Sequence, residues 1–149
     1  MRVWLLRHGE AEPQASRDAD RRLTPSGQAE VHAAARQLLG RPLRAIYVSP
    51  YARAQESADI VKHVTGFDAE LITVAWLTPD TSPTSTFSQM QPADDGDVLY
   101  VAHQPLLGAL SALLVHGESS RPFALSTAAL VELEGDAILA GGMRLNGIH

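Results

Sequence analysis

The chain of 149 residues contains no cysteine. This absence excludes a disulfide framework, a thiolate zinc site and a cysteine nucleophile. A chain of this length buries roughly 68–70% of its unfolded surface, so it can form a core without disulfides or a structural metal. We therefore expect one globular domain over residues 1–149. A monomer is a separate expectation, which does not follow from the length.

Long apolar runs and an excess of positive charge are also missing. The apolar run near the start of the chain, Val3–Leu6, is four residues long. A signal peptide needs an apolar run of about 7–15 residues and a membrane span needs about 20. Acidic residues outnumber basic ones by 17 to 12, which argues against nucleic acid and anionic membranes as partners. These features predict a soluble cytoplasmic protein.

Short apolar runs alternate with helical patterns along the chain. Strands are predicted at Val3–Leu6, Ile46–Val48, Glu70–Trp76, Val98–Ala102, Ala128–Leu133 and Ala137–Leu145. Helices are predicted after Thr24-Pro25, from Tyr51 to Val64 and over Leu106–Leu114, with at most one short helix near Pro83–Met90. The order predicts an α/β three-layer sandwich with a mostly parallel sheet of about six strands. The last two strands would form a hairpin around Gly135.

Polar residues follow three of the predicted strands. The first strand is followed by Arg7, His8 and Glu10. The helix after the second strand has Arg53 in its first turn. The fourth strand is followed by His103 and Gln104. Parallel strands end at one edge of a sheet, where ligands bind in such folds. Two arginines, two histidines and a helix N-terminus at that edge favour an anion, and guanidinium groups match phosphate oxygens. No glycine-rich nucleotide-binding loop is present.

The two histidines indicate what happens to a bound phosphate. A neutral imidazole can attack phosphorus if its second nitrogen keeps the proton. The arginines would stabilise the charge on the phosphoryl oxygens, which is the main requirement of phosphoryl transfer. A metal site built from His8, Glu10 and His103 is disfavoured, because the neighbouring arginines would repel a divalent cation. Ser49 and Thr24 are expected to be turn and cap residues.

Four stretches carry a resemblance to a known family. They are Leu6–Glu10, Leu23–Gly27, Val48–Ala54 and Val101–Pro105. In this order they resemble the histidine phosphatase superfamily, whose fold is phosphoglycerate-mutase-like. The Leu77-Thr78-Pro79 segment and the short 77–97 connection are similar to the SixA-type phosphohistidine phosphatases.

The resemblance implies a role for each matching residue. His8 is implied to be the nucleophile that forms a phosphohistidine intermediate. Arg7, Arg53 and His103 complete the phosphate pocket, and Gln104 is an expected further substrate contact. Neither a metal nor an organic cofactor is expected, and the implied substrate is a phosphorylated histidine on another protein.

One departure from the superfamily concerns the proton donor. Mutases and broad-specificity members of the superfamily carry a glutamate after the third strand, which protonates an alkoxide leaving group. This chain has no glutamate between Trp76 and Asp80. Asp80 and Glu10 are the candidate general acids. An imidazole leaves phosphorus without such help near neutral pH, so the missing glutamate favours phosphohistidine. A small-molecule phosphomonoesterase acting on sugar or nucleotide phosphates, and a phosphate-binding module without turnover, stay as alternatives.

Overall fold

The computed structural model describes residues 1–149 and contains a single six-stranded sheet. The strands are β1 (Arg2–Arg7), β2 (Leu43–Val48), β3 (Ile72–Thr73), β4 (Asp97–Ala102), β5 (Leu130–Glu134) and β6 (Arg144–Ile148). Their order across the sheet is β3-β2-β4-β1-β5-β6. The first four strands are parallel, and β5 runs antiparallel to both β1 and β6. The predicted α/β fold with a mostly parallel sheet is confirmed.

Four helices cover the two faces of the sheet. They are α1 (Pro25–Arg36), α2 (Ala52–Thr65), α3 (Pro83–Gln89) and α4 (Leu106–His116). Val31 of α1 and Val61 of α2 share one core cluster with Leu6 of β1. Leu110 of α4 lies in the other core cluster, together with Leu5 of β1. Leu5 and Leu6 are consecutive in the strand, so their side chains point to opposite faces of the sheet. None of these helices is long and apolar enough to cross a membrane.

Two helix boundaries follow the signals in the sequence. The Thr24 hydroxyl accepts a hydrogen bond from the Gly27 N–H at 3.0 Å, and Pro25 occupies the first helical position of α1. This arrangement satisfies a backbone donor that the helix itself cannot pair. At the C-terminus of α2, the cap residue Gly66 has a φ of 72°, a left-handed conformation that favours glycine. The predicted cap role of Thr24 is confirmed.

The predicted third strand, Glu70–Trp76, is too long. Only Ile72–Thr73 pairs with β2, and residues Ala75–Leu77 form a 3-10 turn instead. The reason is the length of the partner strand, because β2 ends at Val48 and is followed by Ser49-Pro50. A proline has no N–H to continue the ladder.

The predicted last strand, Ala137–Leu145, is wrong for most of its length, since β6 spans Arg144–Ile148. The apolar segment before β6 packs on the end of α4. The N–H groups of Gly141 and Met143 donate to the carbonyl oxygens of Leu113 and Leu114 at 3.0 and 3.1 Å. Leu114 O is among the carbonyls that a helix leaves unpaired at its C-terminus, and Leu113 O also accepts from the Gly117 N–H at 3.0 Å. Hydrogen bonding to the end of α4 thus takes the place of strand pairing, and residues 135–143 form a loop in place of the predicted tight turn.

Candidate active site

The register of the central strands brings three polar segments to one edge of the sheet. Arg7 of β1 lies opposite Ala102 of β4, and Val48 of β2 lies opposite Val101 of β4. The residues that follow continue this pairing, since the His8 N–H donates to Ala102 O at 3.1 Å and the Ser49 N–H donates to Val101 O at 3.1 Å. The segments after β1, β2 and β4 therefore leave the sheet side by side.

His8 is buried, with 7% of its surface exposed, and its ring is held in one tautomer. Its Nδ1 lies 2.7 Å from the carbonyl oxygen of Gly9, which can only accept, so Nδ1 carries the proton. Burial lowers the pKa of His8 to about 4, with a smaller contribution from the charge of Arg53. Near neutral pH the ring is uncharged, and Nε2 carries the lone pair that accepts a hydrogen bond from Arg53 Nε at 3.3 Å. This is the form of histidine that attacks phosphorus.

His8 is expected to become charged only near pH 4, because burial lowers its pKa to about 4 from an ordinary 6.5. Between these two pH values the unfolded chain binds more protons than the folded one, so the free energy of unfolding should decrease as the pH falls through that window. An NMR titration of the ¹⁵N-labelled ring, assigned with His8→Asn, gives the midpoint, with the urea-unfolded chain as reference. A folded midpoint near 6.5 would contradict the protected, neutral ring.

Arg53 reaches His8 from the first turn of α2 and is 5% exposed. Its Nη1 donates to the backbone oxygen of Asp18 at 2.8 Å, and its Nη2 lies 3.2 Å from the Asp18 carboxylate. The guanidinium also lies 5.0 Å from the centre of the Tyr51 ring. A cation is unfavourable at a helix N-terminus, and the Asp18 carboxylate offsets that cost. Nothing in the sequence pattern singles out Asp18, which stands among several charged residues in the segment before α1.

His103 lies beside His8 and is almost completely buried, with 1% of its surface exposed. The two ring centres are 5.1 Å apart. Burial lowers the pKa of His103 to about 2, and the neighbouring His8 and Arg53 act in the same direction. His103 Nε2 lies 2.7 Å from the hydroxyl of Ser49. Ser49, expected to be a turn residue, therefore contacts a predicted pocket residue.

Two buried side-chain polar atoms in the chain lack a hydrogen-bond partner, and both belong to predicted pocket residues. They are Arg7 Nε and His103 Nδ1. Such atoms are nearly always paired in native proteins. Arg7 donates from Nη1 to the carbonyl oxygen of Leu125 at 2.8 Å, which fixes the position of its guanidinium. The two unpaired nitrogens suit an anion that brings several oxygens, as a phosphoryl group does.

Two further side chains hold the site together without being predicted as site residues. Glu30 of α1 accepts from the N–H of Glu10 at 2.8 Å and from the hydroxyl of Thr127 at 3.0 Å. Its charge also opposes the lowering of the Arg7 pKa that burial causes. Ser57 accepts from the Gly9 N–H at 3.2 Å. Both residues lie one or more turns into a helix, where helical periodicity predicts only which face is buried.

The remaining predicted site residues have partners outside the pocket. The Glu10 carboxylate accepts from the Thr24 hydroxyl at 2.8 Å, and the Asp80 carboxylate accepts from the Thr78 hydroxyl at 2.9 Å. Neither carboxylate is hydrogen-bonded to His8, Arg53 or His103. The side chain of Gln104 bonds at both ends to backbone groups, donating to Phe123 O at 3.0 Å and accepting from the Gly108 N–H at 2.6 Å. Their roles as acid and substrate contact stay predictions.

The comparisons with known proteins agree with this geometry. Residues 3–77 match the model of the histidine phosphatase superfamily (branch 1). The chain is 32% identical over 139 residues to the phosphohistidine phosphatase SixA of Escherichia coli (strain K12), which covers 90% of this chain and 86% of that protein. It is 32% identical over 126 residues to the phosphohistidine phosphatase SixA homolog of Haemophilus influenzae, which covers 76% of this chain and 77% of that protein.

A solved structure gives the same result for the fold. The structure of the protein histidine phosphatase SixA complexed with tungstate matches with a TM-score of 0.88 at 28% identity, over 99% of this chain and 96% of that one. The family model covers half of this chain, and the relatives extend the match over most of the rest. The chain therefore belongs to branch 1 of the histidine phosphatase superfamily, and it is a phosphatase.

Proposed function

We propose that this phosphatase hydrolyses phosphohistidine on a partner protein, such as a signalling phosphotransfer domain in the cytoplasm. The reaction proceeds through a covalent phosphohistidine on His8 and uses neither a metal ion nor an organic cofactor. The observation that carries the proposal is the tautomer of His8, whose Nδ1 is tied to Gly9 O at 2.7 Å and whose Nε2 keeps its lone pair. The relatives at 32% identity, which are named phosphohistidine phosphatases, support the choice of substrate.

In the first step His8 Nε2 attacks phosphorus in line with the bond to the substrate imidazole. A new P–N bond forms on Nε2 while the substrate P–N bond breaks, and its electron pair returns to the substrate ring. The proton on His8 Nδ1 stays in place, and the Gly9 carbonyl stabilises the positive charge that the ring acquires. Arg7, Arg53 and His103 hold the phosphoryl oxygens and stabilise their charge.

In the second step water attacks the phosphorus of phospho-His8. The P–N bond to Nε2 breaks, its electron pair returns to the His8 ring, and inorganic phosphate leaves as H2PO4−, which carries both protons of the attacking water. The free ring again carries a proton at Nδ1 and a lone pair at Nε2. The fixed contact of Nδ1 with Gly9 O serves both steps, because His8 needs no change of tautomer between attack and release.

The leaving group explains why the pocket needs no carboxylic acid beside His8. An alkoxide is a poor leaving group and needs a proton from a well-placed acid. A phosphohistidine ring protonated on its second nitrogen leaves as neutral imidazole. The carboxylates of Glu10 and Asp80 are hydrogen-bonded to Thr24 and Thr78 and to none of the pocket side chains. This arrangement favours P–N bonds over alkyl phosphates.

A paired rate comparison tests the substrate class. The wild-type enzyme, with EDTA present, is given a phosphohistidyl protein and a panel of sugar and nucleotide monophosphates at matched concentrations. We expect the phosphohistidine to be cleared at least about 100-fold faster, which is the lower end of what a general acid contributes to a reaction that needs one. EDTA should leave the rate unchanged.

If the enzyme is instead a small-molecule phosphomonoesterase, alkyl phosphates will react as fast as the phosphohistidyl protein. Two variants, Asp80→Asn and Glu10→Gln, then test which carboxylate is the general acid. Loss of activity on alkyl phosphates in one of them would identify it. If neither the phosphohistidyl protein nor any of the small phosphomonoesters reacts, the result would favour a phosphate-binding module over the proposed reaction.

A further inference from the structure

Ser49 is placed to determine which nitrogen of His103 carries the proton. It follows β2 directly, is completely buried, and its hydroxyl lies 2.7 Å from His103 Nε2. The other ring nitrogen, Nδ1, is buried and has no hydrogen-bond partner. Because burial keeps the His103 ring uncharged, one of its two nitrogens carries a proton and the other carries a lone pair.

The surroundings of the Ser49 hydroxyl decide between the two arrangements. Its oxygen already accepts a hydrogen bond from the Tyr51 N–H at 3.3 Å. Its proton has no acceptor nearby other than His103 Nε2, since no further hydrogen bond of this hydroxyl exists. If Nε2 carried the proton, the oxygen would accept twice and the buried hydroxyl proton would stay unpaired, at a cost in free energy. If Ser49 donates to Nε2, every polar atom of Ser49 is satisfied.

We infer that Ser49 is a positioning residue, which donates to His103 Nε2 and so places the His103 proton on Nδ1, as a donor to the phosphoryl oxygens. The inference rests on the proposed function for the role of His103 in the phosphate pocket. With the opposite tautomer, His103 would turn a lone pair toward the anion and repel it.

The two pocket histidines have hydrogen-bond partners of opposite kinds. At His8, the Gly9 carbonyl accepts from Nδ1 and leaves Nε2 with the lone pair for attack. At His103, the Ser49 hydroxyl donates to Nε2 and leaves Nδ1 as the donor. An acceptor next to one ring and a donor next to the other thus give two neutral histidines, 5.1 Å apart, different functions.

The tautomer is measured directly by NMR on the whole protein labelled with ¹⁵N-histidine. Long-range ¹H–¹⁵N correlations distinguish a protonated Nδ1 from a protonated Nε2, and His103→Asn assigns the signals. We expect His103 in the wild type to be protonated on Nδ1 and Ser49→Ala to shift population toward Nε2. A wild-type ring protonated on Nε2, or a Ser49→Ala ring that stays protonated on Nδ1, would overturn the inference.

Kinetics give the functional half of the test. Ser49→Ala should lower kcat by about 100-fold, the usual loss for one donor to a developing charge, with a much smaller change in KM. Ser49→Thr keeps the hydroxyl and should restore both the tautomer and most of kcat. Equal kcat values for Ser49→Ala and wild type would count against the role.

Ser111→Ala is the matched control. Ser111 is also completely buried, and its hydroxyl makes a 2.7 Å hydrogen bond to the Leu107 carbonyl within α4, away from both histidines. It should lose similar stability while the His103 tautomer and kcat stay as in the wild type. Because the NMR measurement needs no turnover, an inactive wild type with the expected tautomer would refute the proposed function alone.

Discussion

His8→Ala is expected to abolish turnover, with a loss of about 10⁴-fold to 10⁶-fold in kcat. Removing a nucleophile of a covalent mechanism has an effect of this size in other hydrolases. Alanine removes the Nε2 that we propose attacks phosphorus, while Arg7, Arg53 and His103 remain to bind the phosphoryl group. We therefore expect His8→Ala to bind phosphate or tungstate with an affinity close to that of the wild type and to release no product.

The covalent intermediate is tested by comparing the wild type with the same His8→Ala variant. Labelled phosphohistidyl protein is mixed with enzyme and quenched in alkali, since acid hydrolyses phosphohistidine. Wild type should carry label on His8 and His8→Ala none. His63→Ala removes an exposed histidine from α2 and should behave as wild type. Label on the His8→Ala chain, or substantial turnover by it, would contradict a covalent mechanism on this residue.

The pocket could be predicted from the sequence because its main residues follow directly from strand ends. Arg7, His8 and His103 each lie within one residue of the end of β1 or β4, and these two strands are neighbours in the sheet. A short apolar run predicts where a strand ends, and parallel pairing then predicts that the following residues converge. Arg53 follows from the same reasoning, since it lies in the first turn of the helix after β2.

The partners of those residues could not be predicted, because they depend on how loops and helices pack. Asp18 reaches Arg53 from the segment before α1, 35 positions away in the chain. Ser49 is one of two serines that precede a proline in this chain, and a serine before a proline predicts a turn whatever its hydroxyl contacts. The predicted last strand is wrong for a related reason. An apolar run does not show that its N–H groups will pair with the carbonyl oxygens at the end of α4.

Arg53→Lys is the second variant for which we expect a large effect, a loss of about 10³-fold in kcat. Lysine keeps the positive charge but not the planar fork of donors that matches phosphate oxygens. A guanidinium that stabilises a phosphoryl transition state contributes about 10³–10⁵-fold in other enzymes. Arg53 also donates from Nε to His8 Nε2 at 3.3 Å, which keeps the guanidinium beside the ring nitrogen that we propose attacks phosphorus. A lysine nitrogen can make one of these contacts but not all.

Arg22→Lys is the matched control, because it makes the same change from guanidinium to ammonium outside the pocket. Arg22 pairs with Glu56 through two guanidinium nitrogens, at 2.9 and 3.1 Å, but 71% of its side chain is exposed. An exposed pair contributes little to stability, and Arg22 contacts none of the pocket residues, so this variant should keep the wild-type rate. Arg53→Lys within about tenfold of wild type would mean that charge alone binds the phosphoryl group. The two buried, unpaired nitrogens of Arg7 and His103 would then account for its orientation, and removing either should be the more damaging change.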